Sequence, residues 1–208
     1  MAQKEAEMKI DPFYLIIDGT HWLDRLLPQG IKLVQLRMKN RPDVELREEI
    51  RRAKNLCARH STTLVINDHW QLAIEEGCDF IHLGQEDLED ADVAAIRRAG
   101  CRLGISTHDP AELERALSIK PDYVALGPVF PTTLKQLDWA PQGVARVSEW
   151  KKLVGDLPLV AIGGLTLERA RAVLDAGADS AAVSTDVLGH ADPEARSRAW
   201  VSMTRSGG

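Results

Sequence analysis

Residues 64–88, LVINDHWQLAIEEGCDFIHLGQEDL, read as a strand, a helix and a second strand, and that reading decides the fold. Leu64-Val65-Ile66 is apolar, rich in β-branched residues and too short for a helix, as suits a strand buried on both faces. Asn67-Asp68 ends it. Trp70, Leu72, Ala73 and Ile74 then recur at helical spacings, and Gly77 stands where a left-handed residue stops a helix. Phe80 to Leu83 forms the second strand, ended by Gly84-Gln85-Glu86-Asp87. A crossover helix makes the two strands parallel, so their carboxyl ends open on one rim and carry Asp68 and Asp87 there side by side. Two carboxylates on one rim suit Mg²⁺. That ion completes its shell with waters and substrate phosphates, so the pair also predicts a phosphorylated substrate. A plainer reading of the same residues has Asp68 capping the following helix and Asp87 lying in a turn.

Outward from this unit, strand and helix patterns alternate along the chain. Phe13–Ile17, Leu33–Leu36, Arg102–Ile105, Tyr123–Leu126, Leu159–Ile162 and Ser180–Val183 are the other short apolar runs. Between them, Glu45–His60, Asp92–Ala99, Val144–Val154 and Pro193–Met203 carry helical patterns. Asp109-Pro110 opens a further helix as a cap followed by proline in the first turn, and Thr166 is placed to cap another. Eight strands each followed by a helix describe a single-domain α/β (β/α)₈ barrel, the TIM barrel, spanning residues 11–208 behind a flexible segment 1–10. A doubly wound open sheet is the alternative, and it has no need of the count reaching eight. Gly127 to Gln142 is the longest irregular segment, with three prolines, and a loop of that length is read as functional, with a lid as one role.

With 208 residues, 44% hydrophobic and 27% charged, the composition is that of a soluble globular domain. A net charge of −5 argues against nucleic acid as a partner while permitting a local basic pocket for phosphates. Residues 1–10 (MAQKEAEMKI) are charged throughout and unlike a secretory signal, and no run approaches a membrane span, so a cytoplasmic protein is expected. Cys57, Cys78 and Cys101 are odd in number and far apart, which suits buried thiols.

A barrel builds its site from the loops after the strands, so each strand end supplies candidates. Gln35, Arg37 and Lys39 follow strand two; Asn67 and Asp68 strand three; Gln85 and Asp87 strand four; Ser106 strand five. Thr132, Thr133 and Lys135 follow strand six, Gly163-Gly164 strand seven and Ser184-Thr185 strand eight. The last two positions are where barrels commonly bind a phosphate through backbone N–H groups. Taken singly, Lys39 and Lys135 read as surface lysines and Gly-Gly as a tight turn. His82 reads as a packed, hydrogen-bonded histidine, and His69 and His108 fit no metal spacing. Convergence of three cations, two hard-metal ligands and neutral donors on one rim points instead to a polyanion.

The motifs VQLRMK (Val34–Lys39), INDHWQLAIEEG (Ile66–Gly77), IHLGQEDL (Ile81–Leu88), LGISTHD (Leu103–Asp109), DYVALGPVFPT (Asp122–Thr132), KQ with APQG (Lys135 to Gly143) and VAIGG (Val160–Gly164) resemble those of the thiamine phosphate synthase family, from Tyr14 to about Val187. HLGQEDL with GPVFPT is a specific combination. The resemblance implies a (β/α)₈ barrel that joins 4-amino-2-methyl-5-hydroxymethylpyrimidine diphosphate to a thiazole phosphate. It implies that Gln35, Arg37, Lys39, Asn67, Ser106 and Lys135 hold the pyrimidine diphosphate, with Lys39, Ser106 and Lys135 catalytic and Asp68 and Asp87 on Mg²⁺. Thr132, Thr133, Leu134, Gly164, Ser184 and Thr185 would take the thiazole phosphate. The partners implied are these small molecules, with no nucleic acid and no membrane; a homo-oligomer stays open.

Three positions depart from the family's pattern. Leu134 replaces a hydroxyl side chain, Asn40 stands where Asp is common, and Asp186 would bring a negative charge to the proposed phosphate site. Two alternatives remain beside the transferase: an isomerase resembling the thiazole tautomerase, with little use for the metal and diphosphate residues, and a non-catalytic barrel that binds phosphorylated ligands.

Overall fold

Eight parallel strands close into a barrel in chain order, each sequence neighbour being a neighbour in space. The computed structural model describes residues 9–132 and 140–205. In order the elements are β1 (Phe13–Ile17), α1 (Leu23–Leu26), β2 (Leu33–Leu36), α2 (Asp43–Arg59), β3 (Thr63–Asn67), α3 (Trp70–Glu75), β4 (Phe80–Leu83), α4 (Gln85–Asp90) and α5 (Val93–Arg98). They continue with β5 (Arg102–Thr107), α6 (Pro110–Ser118), β6 (Tyr123–Leu126), α7 (Gly143–Val154), β7 (Leu159–Ile162), α8 (Leu167–Asp175), β8 (Ser180–Val183), α9 (Thr185–Leu188) and α10 (Pro193–Arg205). All eight strands stand where the apolar runs placed them. The expected flexible segment 1–10 falls almost wholly outside the described residues.

Strand alternation sorts the side chains into two cores. Phe13, Leu15, Ile17, Val34, Leu36, Leu64, Ile66, Ile81, Leu83, Leu103 and Ile105 point outward and pack beneath the helices. Tyr14, Ile16, Leu33, Val65, Phe80, Tyr123, Ala125, Val160 and Ala182 fill the barrel itself. Gly104 is required by this filling, since a Cβ there would lie 2.1 Å from the Tyr123 ring. Three further inward residues, Gln35, Asn67 and His82, are polar and at most 7% exposed. Polar groups with so little water around them call for partners, and their partners define the site.

The ends of the helices follow the sequence in most places. Asp109 accepts from Glu112 N and Asp92 from Ala95 N as side-chain caps. Gly77 adopts φ +66° after α3. Thr166 occupies the cap position of α8, but its side chain makes no bond to the helix's own N–H groups. Two short helices were not foreseen. Gln85–Asp90 is the helix α4, so the segment after strand four is no simple turn, and Thr185–Leu188 forms the single turn α9. The three cysteines are free and buried, and burial pushes the thiols up, Cys57 to about 12 and Cys78 to about 11. Among the described residues no helix is long and apolar enough to cross a membrane.

Candidate active site

The turn after β3 is shaped to present a carboxylate. Asp68 adopts the left-handed conformation at φ +62°, one that Asp tolerates better than most residues. Its N–H donates to the His82 carbonyl at 2.9 Å, while His69 N donates to Asn67 O at 2.7 Å and Trp70 N to Asp68 O at 2.7 Å. The side chain is thereby held on the rim rather than over the first turn of α3, whose cap position belongs to His69. Asp68 is therefore no helix cap. Its carboxylate, 9% exposed, accepts from the Lys39 ammonium. Lys39 is brought there by the loop after β2, where His69 Nε2 lies 2.9 Å from the carbonyl oxygen of Met38.

Asp87 reaches the same point from the first turn of α4. The two carboxyl groups are close enough for each to shift the other's charge, so the charges that the sequence placed on one rim do meet. Their electrostatics split accordingly. Burial pushes the Asp68 carboxyl up, but the Lys39 ammonium outweighs it and holds the group below the usual range. Burial and then the charge of Asp68 push Asp87 up. Of two acids side by side with one lysine beside them, one is held ionised and the other is inclined to keep a proton. Two carboxylates are hard oxygen donors of the kind that fits Mg²⁺, an ion that completes its shell with waters and substrate phosphates.

Beside this pair lies a cavity of about 90 Å³ lined by Tyr14, Ile16, Gln35, Arg37, Asn67, His82, Ser106, Tyr123, Ala125, Val160, Ile162 and Ala182. Arg37 is half-buried there, and no carboxylate among the described residues pairs with it. An unbalanced guanidinium in a half-dry cavity calls for an anion. Five of the lining side chains, Gln35, Tyr14, Tyr123, His82 and Ser106, join in a string. Gln35 Nε2 donates to Tyr14 Oη at 2.9 Å, Tyr14 Oη lies 3.0 Å from Tyr123 Oη, Tyr123 Oη lies 2.7 Å from His82 Nδ1, and His82 Nε2 lies 2.9 Å from Ser106 Oγ. The His82 ring also stacks on Tyr123 at 5.5 Å, as expected of a packed histidine. Burial lowers its pKa to about 4, which keeps the imidazole neutral at physiological pH. Gln85 bonds to the Ser106 carbonyl at 2.6 Å and so braces the end of β5.

The far side of the rim was read for a phosphate. Gly164 has φ +62°, and a Cβ there would lie 2.3 Å from Pro131 O; Gly163 has φ +96° and faces the Pro128 Cα at 2.5 Å. The glycine pair is thus demanded first by close backbone packing against the connection after β6. That connection is clamped at both ends, through Val129 N to Ile162 O (2.8 Å), Phe130 N to Gly163 O (3.0 Å), Gln142 N to Pro128 O (2.8 Å) and Gly143 N to Val129 O (2.9 Å). Thr132 sits half-buried at its described edge. Thr133, Leu134 and Lys135 lie outside the described residues. Ser184 and Thr185 open α9, where the first N–H groups have no partner within the helix.

Asp186 does not point at this region. It forms a two-pronged bond with Arg196 (2.8 Å each) and accepts from Trp200 Nε1 at 2.7 Å, so its charge is neutralised away from the rim. The expectation that it would repel a phosphate is corrected by this pairing with α10, 10 and 14 residues onward. His108 likewise serves its own turn, with Nδ1 2.7 Å from Glu112. Residues that strand-end reading missed are Tyr14, Tyr123 and His82 as partners of Gln35 and Ser106. Alternation along β1, β4 and β6 was the available signal, because it puts three polar tips inside a barrel.

Comparison with known proteins places the chain in a family. A family model described as thiamine monophosphate synthase matches residues 13–187. A thiamine-phosphate synthase of Rhizobium etli is 65% identical over 197 residues, covering 95% of this chain and 97% of that protein. One of Neisseria meningitidis is 48% identical over 191 residues, covering 92% and 93%. Among solved structures, the thiamine phosphate pyrophosphorylase of Pyrococcus furiosus superposes with a TM-score of 0.84 at 25% identity, covering 94% of this chain and 96% of that one. With the family model matched over residues 13–187 and a relative 65% identical over nearly the whole length, the chain belongs to the thiamine monophosphate synthase family.

Proposed function

We propose that this chain is a Mg²⁺-dependent transferase that couples 4-amino-2-methyl-5-hydroxymethylpyrimidine diphosphate to a thiazole phosphate, forming thiamine phosphate and releasing pyrophosphate. The observation that carries the reading is the meeting of Asp68 and Asp87 on one rim, next to a cavity whose Arg37 lacks a counter-ion among the described residues. Asp68 and Asp87 would hold Mg²⁺, which when bound neutralises charge growing on the diphosphate. Arg37 and Lys39 bind the diphosphate oxygens and stabilise the same charge. Gln35, Asn67 and Ser106 orient the pyrimidine in the cavity, and Ile16, Val160 and Ile162 keep water from its ring.

Few acids or bases are needed. An electron-rich aminopyrimidine can lose pyrophosphate from its methylene to leave a stabilised cation, which the thiazole nitrogen captures. The protein's work is to position two substrates and steady a leaving group. Lys135, and Thr132 to Leu134 with Gly164, Ser184 and Thr185, complete the reading as pyrophosphate and thiazole phosphate contacts. A thiazole isomerase would have little use for the carboxylate pair, and a sensor would bind without turnover. A pyrophosphate-release assay with each component omitted in turn tests the proposal. Release only with both substrates and Mg²⁺ is expected; release without Mg²⁺, or none with all three, would refute it.

A further inference from the structure

The string across the barrel has a direction. Gln35 is 3% exposed, its amide nitrogen is committed to Tyr14 Oη, and its Oε1 is not among the buried polar atoms left without a partner. What access that oxygen has is therefore from the cavity that Gln35 lines. Tyr14 already receives a hydrogen from Gln35, so its own hydrogen goes to Tyr123 Oη; otherwise a buried phenol hydrogen would have no acceptor. Tyr123 then gives its hydrogen to His82 Nδ1. With Nδ1 accepting, the ring's one proton sits on Nε2 and is donated to Ser106 Oγ. The Ser106 hydroxyl accepts from His82, and its hydrogen is left for the cavity. Reversing any one bond forces the reversal of all four and turns the Gln35 amide over.

We propose that Tyr14, Tyr123 and His82 are positioning residues whose one-way hydrogen-bond string makes Gln35 an acceptor and Ser106 a donor toward the pyrimidine, so that the site selects a 4-amino ring over a 4-oxo ring. A 4-aminopyrimidine offers an N–H donor at its amino group and an acceptor at the adjacent ring nitrogen. A 4-oxo ring offers a carbonyl acceptor and a ring N–H, the opposite pattern. Gln35 cannot be reversed without reversing the string, whereas the Ser106 hydroxyl, which accepts from His82, keeps one free lone pair, so the discrimination rests chiefly on the Gln35 oxygen. Discrimination thus resides partly in residues behind the cavity wall. This inference rests on the proposed function for the substrate's identity, but its direction is a property of the protein alone.

Two measurements test it. Nitrogen NMR of the ligand-free protein, labelled at histidine and assigned with His82→Gln, should show His82 in the Nε2–H form at neutral pH. The Nδ1–H form would overturn the proposal whatever the turnover assay shows. The ratio of kcat/KM for the 4-amino substrate over its 4-oxo analogue should be on the order of a hundred or more, as for a site whose polar groups are matched to one pattern. Tyr123→Phe keeps the ring stacked on His82 and removes the hydroxyl that sets its tautomer and receives the Tyr14 hydrogen. It should lower that ratio about tenfold or more. His82→Gln, with an amide nitrogen to donate to Ser106, should retain more of the ratio than His82→Ala. Equal loss of turnover on both rings in Tyr123→Phe, with the ratio unchanged, would mark the string as merely structural. If wild type turns over neither ring, the proposed function fails, and the tautomer still decides the direction of the string.

Discussion

Replacing Asp87 by Asn separates stability from catalysis. Asp68, Asp87 and Lys39 together carry one net negative charge at the rim when both acids are ionised, and Asp87→Asn leaves none. A unit charge about 4 Å from a cation at an effective dielectric near 20 is worth about 4 kcal/mol per cation charge, so the loss is at least roughly a thousandfold in Mg²⁺ affinity before relaxation. Turnover at moderate Mg²⁺ should fall by roughly a hundredfold or more, with partial recovery as Mg²⁺ is raised. The fold should respond in the opposite sense. Burial and Asp68 raise the Asp87 carboxyl, so its ionisation opposes folding; that contribution favours the native state below the unfolded value near 4 and is lost as pH rises through the folded one. Asp87→Asn removes the penalty, and its melting temperature at neutral pH should equal or exceed that of wild type. Pyrophosphate release followed across a Mg²⁺ titration, alongside thermal unfolding, reads both arms. Wild-type turnover in the variant at moderate Mg²⁺ would remove Asp87 from the mechanism; a clear loss of stability at neutral pH would refute the electrostatic account of the pair.

His82 should leave an acid signature. Its pKa is depressed from 6.5 to about 4, so the stability it lends is complete above the unfolded value and lost as pH falls through the folded one. Over that window wild type should lose about 3 kcal/mol relative to His82→Asn in denaturant unfolding, and parallel pH profiles would contradict it. Asp186→Ala should destabilise the protein by roughly 2–4 kcal/mol, because Arg196, 16% exposed, and the Trp200 indole both lose a partner. Its Michaelis constant for the thiazole phosphate should stay unchanged, and a lowered value would reinstate Asp186 as a repulsive charge at the site. Gly164→Ala should lower stability by about 2 kcal/mol or more and impair turnover, since a Cβ would meet Pro131 O at 2.3 Å on a backbone at φ +62°; a variant with wild-type melting and kinetics would show that the connection yields freely.

Sequence alone laid out eight strand-and-helix units and left an open sheet as the alternative; closure into a barrel was decided by the tertiary structure. Each strand of β1 to β8 is a run of four to six residues whose composition and bounding turns are local properties, and right-handed crossovers leave a parallel arrangement with all carboxyl ends on one rim. The placing of Asp68, Asp87, Arg37, Lys39 and Ser106 at strand ends followed from the same rule. Tertiary structure decided what those residues touch. Nothing in the sequence near Asp186 announces that Arg196 and Trp200 will swing its carboxylate away from the rim. Nothing near Ser106 announces Tyr123 and Tyr14, 17 and 92 positions off. Contacts across a closed barrel depend on register and on which rings fill the centre, and those are set by all eight strands together. A carboxylate's charge state or an imidazole's tautomer depends on neighbours within a few ångströms, so such properties emerge only once the ring is closed.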